Sequence, residues 1–123
     1  MKINGAISQL RTMDLAGSIK FYTETVGLEL EFQYQDFYAG IRAGDQSFHL
    51  KYVCDKDPSI DFVDEGGHFH MYFPAEDVST LAAELQAKGV ILVEDVHDTD
   101  WGTREFVIHD DQGHILYFGQ NLS

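Results

Sequence analysis

WGTREFVIHDDQGHILYFGQ, residues 101–120, decides how the rest of this 123-residue chain reads. Thr103, Glu105, Val107 and His109 alternate with Arg104, Phe106 and Ile108, the period of two that a strand imposes on its faces. Ile115, Tyr117 and Gly119 alternate in the same way with Leu116 and Phe118. Between them, DDQG supplies an aspartate to bond its own backbone and a glycine for a positive φ. The C-terminus therefore reads as a hairpin.

Working outward, the plan that ends in this hairpin occurs twice. Asp14 opens DLAGSIKFYTETVG and Asp77 opens DVSTLAAELQAKG, 63 residues later. Each aspartate can cap a helix N-terminus, and Gly27 and Gly89 stand where each helix should stop. Leu15, Ile19, Tyr22 and Val26 fall on one face of the first helix; Val78, Leu81 and Leu85 do so in the second. A strand is expected before each helix, at Ile3–Leu10 and His68–Phe73. Three strands are expected after each: Glu29–Tyr34, Tyr38–Arg42 and Ser47–Val53, then Val90–Glu94, Thr103–His109 and His114–Gly119. The result is an α+β chain of two tandem βαβββ modules, 1–53 and 68–123, within a single domain, 1–123. Residues 54–67, acidic with a proline and two glycines, read as a linker anchored by Phe62 and Val63.

Two stretches carry a resemblance. WGTREF followed by an aspartate–glycine turn and HILYF resembles the closing signature of the vicinal-oxygen-chelate superfamily. That superfamily holds glyoxalase I, extradiol dioxygenases, and fosfomycin- and bleomycin-resistance proteins. DLAGSIKFYTETVGLEL, residues 14–30, resembles the other half of the signature. The likeness is nearest to the bleomycin-resistance proteins, through the aspartate-led helix with FY, through Asp36, Phe37 and Gly40, and through WG-x-REF. It implies a curled mixed sheet in each module, with a helix on the outer face, around a cavity. It also implies a homodimer, because family members commonly share sheets across subunits. One departure is plain: the family turn usually reads DPxGN, and here it is Asp110, Asp111, Gln112, Gly113 and His114.

Composition narrows the function classes. A chain of this length can bury roughly two-thirds of its unfolded surface. With 44% hydrophobic and 13% aromatic residues it reads as folded and soluble. No apolar run approaches the ~20 residues that span a membrane, and no cleavable N-terminal pattern occurs. The single cysteine, Cys54, excludes an internal disulfide and suits a cytoplasmic protein. A net charge of −13 opposes nucleic acid and anionic membranes as partners. It serves solubility, or, where acid lines a cleft, attraction of a cationic ligand. The bleomycin-resistance proteins are themselves acidic and sequester a cationic drug.

In the metal-using relatives, the ligands come from cavity-facing positions on the first and last strands of each module. By that resemblance the positions here are Ile7, His49, His70 and Tyr117. Isoleucine binds no metal, and a tyrosine with an ordinary pKa near ~10 replaces a carboxylate poorly. A catalytic zinc or iron usually needs about three protein ligands. His68 shares the strand face of His70, so His49, His68 and His70 form the alternative set; neighbours at i and i+2 sit ~6.5 Å apart and converge only where a strand bends. Otherwise the imidazoles are hydrogen-bonding walls. His97, His109 and His114 fall at turns and read as surface residues. Glu105 with His70 is an imaginable acid/base pair, against a structural pairing of the carboxylate with Arg104 or Arg11.

The aromatic residues say more. Tyr38, Tyr52, Tyr72, Trp101 and Tyr117 each join an apolar body to a polar tip and suit a pocket for a flat ligand. Phe21, Phe48, Phe69, Phe73, Phe106 and Phe118 are expected in the core. Trp101 lies beside Asp95, Asp98 and Asp100, an arrangement suited to a planar cation. Two readings stand. The first is a metal-independent protein that binds a small aromatic ligand, cationic if the acid reaches the cleft, through His49, His70, Trp101, Tyr117, Tyr38, Tyr72 and Glu105, with no cofactor. The alternative is a divergent glyoxalase or dioxygenase-like enzyme that holds zinc, nickel or iron through His49 and His70. An immunity or regulatory module whose ligand never reacts is a variant of the first.

Overall fold

The structure, a computed structural model, describes residues 1–123. Its elements run β1 (Gln9–Thr12), α1 (Leu15–Lys20) prolonged by a π-helical turn (Phe21–Thr25), β2 (Glu29–Tyr34), β3 (Tyr38–Ala43) and β4 (Gln46–Tyr52). Then come α2 (Ser59–Gly66), β5 (Met71–Pro74), α3 (Val78–Ala87), β6 (Glu94–Asp98), β7 (Thr103–His109) and β8 (Ile115–Asn121). The chain divides into two compact units, Met1–Asp57 and Pro58–Ser123. Each holds one four-stranded mixed sheet, ordered β1-β4-β3-β2 and β5-β8-β7-β6. The outer pairs β1–β4 and β5–β8 are parallel, and the other pairs are antiparallel. The duplication extends to irregularities: β2 and β6 each slip register against their neighbour, at Leu30/Phe32 and at Glu94/His97. This is the α+β, twice-repeated βαβββ architecture expected from the sequence.

In the first unit, β4 turns Phe48 and Leu50 to one face, where Leu10, Ala39 and Ile41 join them, all buried. The helix covers this face with Leu15, Ser18 and Tyr22, the last edge-on to Phe48 at 5.1 Å between ring centroids. Ile19 and Val26 are only half-buried, which departs from the expected stripe. For Val26 the cause is the wider turn: Val26 N–H bonds back to Phe21 carbonyl and Leu28 N–H to Tyr22 carbonyl, so a 3.6-residue period no longer applies past Lys20. Asp14 accepts from Gly17 N–H and Asp77 from Thr80 N–H, both as N-caps. Gly27 and Gly89 leave the helices with φ of 91° each, a conformation open to glycine.

In the second unit, three rings run across the sheet: Phe106 stacks on Phe118 at 4.9 Å, and Phe118 on Phe73 at 5.1 Å. Val78, Ala82 and Leu85 of α3 are buried, with Leu81 only half so. Val78 N–H donates to Gln120 Oε1, from a residue on the Phe118 face, which fixes the helix there. Burying a ring such as Phe106 stabilises the unit by about 1.5–3 kcal/mol.

Several expectations need correction. The segment before β1 is not a strand as far as Ile3; Ile3 and Ile7 are exposed. Likewise β5 begins at Met71, after His68 and His70. The sixth strand is Glu94–Asp98 and not Val90–Glu94. Within 54–67 a helix forms, and its buried anchor is Ile60, whereas Phe62 is 75% exposed. Phe69 is half-exposed rather than core, and His114, expected at the surface, is buried. No helix is long and apolar enough to cross a membrane.

Candidate functional site

Strand parity gives each sheet a second face, opposite the helix-covered one. In the second unit, Tyr72 pairs with Tyr117 across β5–β8, Val107 with Tyr117 and Glu105 with Gly119 across β7–β8. These side chains therefore share a face. Phe69 joins them, its ring 5.7 Å from Tyr72 and 5.2 Å from Tyr117. Tyr72 donates its hydroxyl to Glu105 Oε2 at 2.8 Å, and Thr103 Oγ1 donates to the same oxygen at 3.0 Å. Thr99 Oγ1 meets Thr103 Oγ1 at 2.8 Å behind it. Gly119 makes this possible, since a Cβ there would collide with the Tyr72 ring and hydroxyl. Burial first, then the hydrogen bond to Glu105 and its charge, push the Tyr72 phenol up to about 12. Burial, with the charges of Glu94 and Glu105, also raises that of Tyr117. Both phenols are thus neutral at physiological pH.

The matching face of the first unit is built around His49. Tyr38 hydroxyl meets His49 Nδ1 at 2.9 Å, and Gln9 Nε2 donates to the same hydroxyl at 3.2 Å. With the phenolic oxygen accepting from Gln9, its hydrogen is left for Nδ1, and Nε2 carries the imidazole proton. Phe32 stacks on Tyr38 at 6.2 Å and meets His49 edge-on at 5.2 Å. Gly40 is the seat of the Phe32 ring, as Gly119 is of Tyr72. Neither Gln9 nor Phe32 was singled out from sequence. Both could have been found from parity, because Gly40 pairs with His49 and Phe32, and Gln9 with His49.

In the second unit, His70 has both ring nitrogens engaged. Its Nδ1 accepts the Ile115 N–H at 3.1 Å, and its Nε2 lies 3.3 Å from Ser59 Oγ of α2. A bare Nδ1 puts the proton on Nε2, so neither nitrogen offers a lone pair without breaking a bond. Its ring stands edge-on to His114 at 4.8 Å. His114 Nδ1 bonds Asp110 Oδ2 at 2.8 Å, and His114 Nε2 is the one buried side-chain polar atom without a partner. The imagined Glu105–His70 pair does not form, since the carboxylate accepts from Tyr72 and Thr103. Nor does an arginine pair with it: Arg104 holds Asp98 through Nε at 2.7 Å and through a second nitrogen at 3.2 Å. That bond, above all, keeps the Asp98 carboxyl below its ordinary range. Trp101 sits on the β6–β7 turn, 75% exposed, and makes no ring contact.

The donor set does not suit the catalytic metal of the metal-using relatives. Ile7 has no lone pair and is exposed, Tyr117 remains a phenol, and His70 is engaged at both nitrogens. His68 lies outside the strand, exposed, with its ring against Gly66. Within neither unit do three His, Cys, Asp or Glu side chains gather at metal-binding distance.

Comparison with known proteins places the fold. TioX from Micromonospora sp. ML1 superposes with a TM-score of 0.74 at 16% identity, covering 98% of each chain. The bleomycin-binding protein of bleomycin-producing Streptomyces verticillus, solved with copper(II)-bleomycin, gives 0.70 at 22% identity over 96% of each chain. Lactoylglutathione lyase from Agrobacterium tumefaciens gives 0.75 at 20% identity over 97% of this chain and 95% of its own. No curated protein sequence matches. The sequence profile of one family spans residues 5–118, nearly the whole of both modules. This chain belongs to the glyoxalase/bleomycin resistance protein/dioxygenase superfamily.

Proposed function

We propose that the protein is a metal-independent binder of small aromatic molecules, acting as a homodimer in the cytoplasm and sequestering its ligand without transforming it. The observation that carries this reading is the half-open Phe69, Tyr72 and Tyr117 cluster, held in place by the Glu105 hydrogen bonds. Aromatic walls held in place give a flat molecule stacking area at little ordering cost, and the Tyr117 hydroxyl adds a donor. The Phe32, Tyr38 and His49 group offers a second surface of the same kind. Exposed Trp101 is a third contact, free to fold over a bound ring. The net charge of −13 favours a cationic ligand, as does the analogy with the bleomycin-binding neighbour. The engaged nitrogens of His70, with Ile7 and Tyr117, support binding over metal catalysis.

The test is a pair of measurements on metal-stripped protein. A thermal-shift series of planar aromatic compounds, run with and without zinc, nickel and iron, should show ligand stabilisation that is indifferent to the metal. A ligand at ~100 times its Kd raises stability by about 2.7 kcal/mol, a shift easily seen. Stoichiometric metal that is lost on His49→Ala or His70→Ala would overturn the reading in favour of an enzyme. Sedimentation at micromolar concentration should give twice the 13.9 kDa chain mass.

A further inference from the structure

We propose that Glu105 reads the charge of the ligand: the open face of the second module takes a planar aromatic cation that carries N–H donors, an amidinium, guanidinium or primary ammonium, through Glu105 Oε1. This deepens the binding reading above and rests on it.

Glu105 is only 6% exposed, yet no lysine, arginine or histidine pairs with it. A buried carboxylate without a counter-charge is costly and calls for explanation. The other buried carboxylate of the unit, Asp110, has the His114 imidazole against it at 2.8 Å. Both hydrogen bonds that Glu105 accepts arrive at Oε2, from Tyr72 and Thr103. Oε1 accepts none, and it is not sealed off, since His114 Nε2 alone is both buried and unpartnered. One lone-pair-bearing oxygen thus remains open beside three aromatic rings.

Those rings favour a cation. Ring faces carry negative potential, and the Phe69, Tyr72 and Tyr117 rings all lie within 6.3 Å of a neighbour in the cluster. Glu94 adds negative charge from β6, felt at Tyr117 together with that of Glu105. A metal ion is the wrong cation, because one free oxygen cannot complete a coordination shell. A quaternary ammonium would use the rings but leave Oε1 unsatisfied. The exposed acid around Trp101 is a weaker hook: Asp98 is already engaged by Arg104, and Trp101 stands open to solvent.

The probes are 2-naphthamidine, its neutral isostere 2-naphthamide, and trimethyl(2-naphthyl)ammonium, titrated by calorimetry into metal-free wild type and Glu105→Gln. A charge-assisted hydrogen bond corresponds to roughly tenfold or more in affinity, so the amidine should bind wild type at least that much tighter than the amide. Glu105→Gln should remove this preference, bringing the amidine and the amide to equal affinity whatever the affinity of each. In wild type, nuclear Overhauser contacts from the bound amidine should reach the Tyr72 and Tyr117 rings, a result that needs no variant to fold. The inference is overturned if Glu105→Gln keeps the preference, if the trimethylammonium probe binds as tightly as the amidine, or if the contacts run to Trp101 alone. Failure of every probe to bind without added metal would instead strike the binding reading itself.

Discussion

Among single residues, Trp101 and Tyr72 have opposite circumstances and should respond oppositely to change. Trp101 is 75% exposed and supports nothing. Trp101→Ala should therefore shift the thermal midpoint by no more than about 2–3 °C, since exposed substitutions change stability by only ~0.5 kcal/mol, while ligand affinity falls. A collapse of stability in that variant would make the ring part of the core. Tyr72 is instead tied to Glu105 and stacked against Gly119. Its phenol is raised from 10.0 to about 12 in the folded state, so the folded chain holds this proton more tightly than the unfolded one. That stabilisation is whole below pH 10.0 and is lost as pH rises towards about 12. Urea denaturation across that window should show stability falling, and Tyr72→Phe should flatten the fall. Parity set Glu105 on one face with Thr103 and Val107, and the resemblance, not parity, set Tyr117 toward the cavity. What neither could supply was the partner: a hydrogen bond from Tyr72, 33 residues away, depends on register between β5, β8 and β7.

Elements were legible where alternation and capping agreed. Thr103–His109 and Glu29–Tyr34 form as expected, and both aspartate-capped helices begin where their caps place them. The misplaced β6 has a physical reason. Val90 to Val93 is the apolar run, but Ile91 is 85% exposed, and the strand that pairs with β7 is the polar edge Glu94–Asp98. An edge strand needs only backbone partners, so its side chains carry little signal. The helix α2 was hidden for a similar reason: it buries a single apolar residue, Ile60, near Gly113. The hairpin turn shows how one substitution in a motif changes its chemistry. His114 stands where the family turn usually has asparagine, and it is sealed in with Asp110, whose Oδ1 also accepts from the Gln112 and His114 N–H groups. His114→Ala should cost about 2–4 kcal/mol, from the lost bond, the buried Asp110 carboxylate left without its partner and the cavity left behind. Chemical denaturation checks this, and a change under ~1 kcal/mol would mean the turn holds without the ring.

For the molecule as a whole, a net charge of −13 acts on stability and on binding with opposite signs. Self-repulsion among 21 acidic groups opposed by 8 basic ones disfavours the compact state. Raising salt from about 0.01 M to about 0.15 M shortens the screening length from ~30 Å to ~8 Å. The thermal midpoint should rise over that range, because the exposed acids no longer repel one another. Affinity for a cationic aromatic probe should fall over the same range, and the steepness of the fall says where its charge is read. Exposed carboxylates such as Asp95 and Asp100 are screened almost fully, and binding through them would be largely lost. Glu105, 6% exposed and facing aromatic rings, is screened far less. Calorimetric titrations of 2-naphthamidine at the two salt concentrations should therefore keep most of the preference over 2-naphthamide. A preference that disappears at ~0.15 M would assign the charge to the surface and leave Glu105 a structural carboxylate.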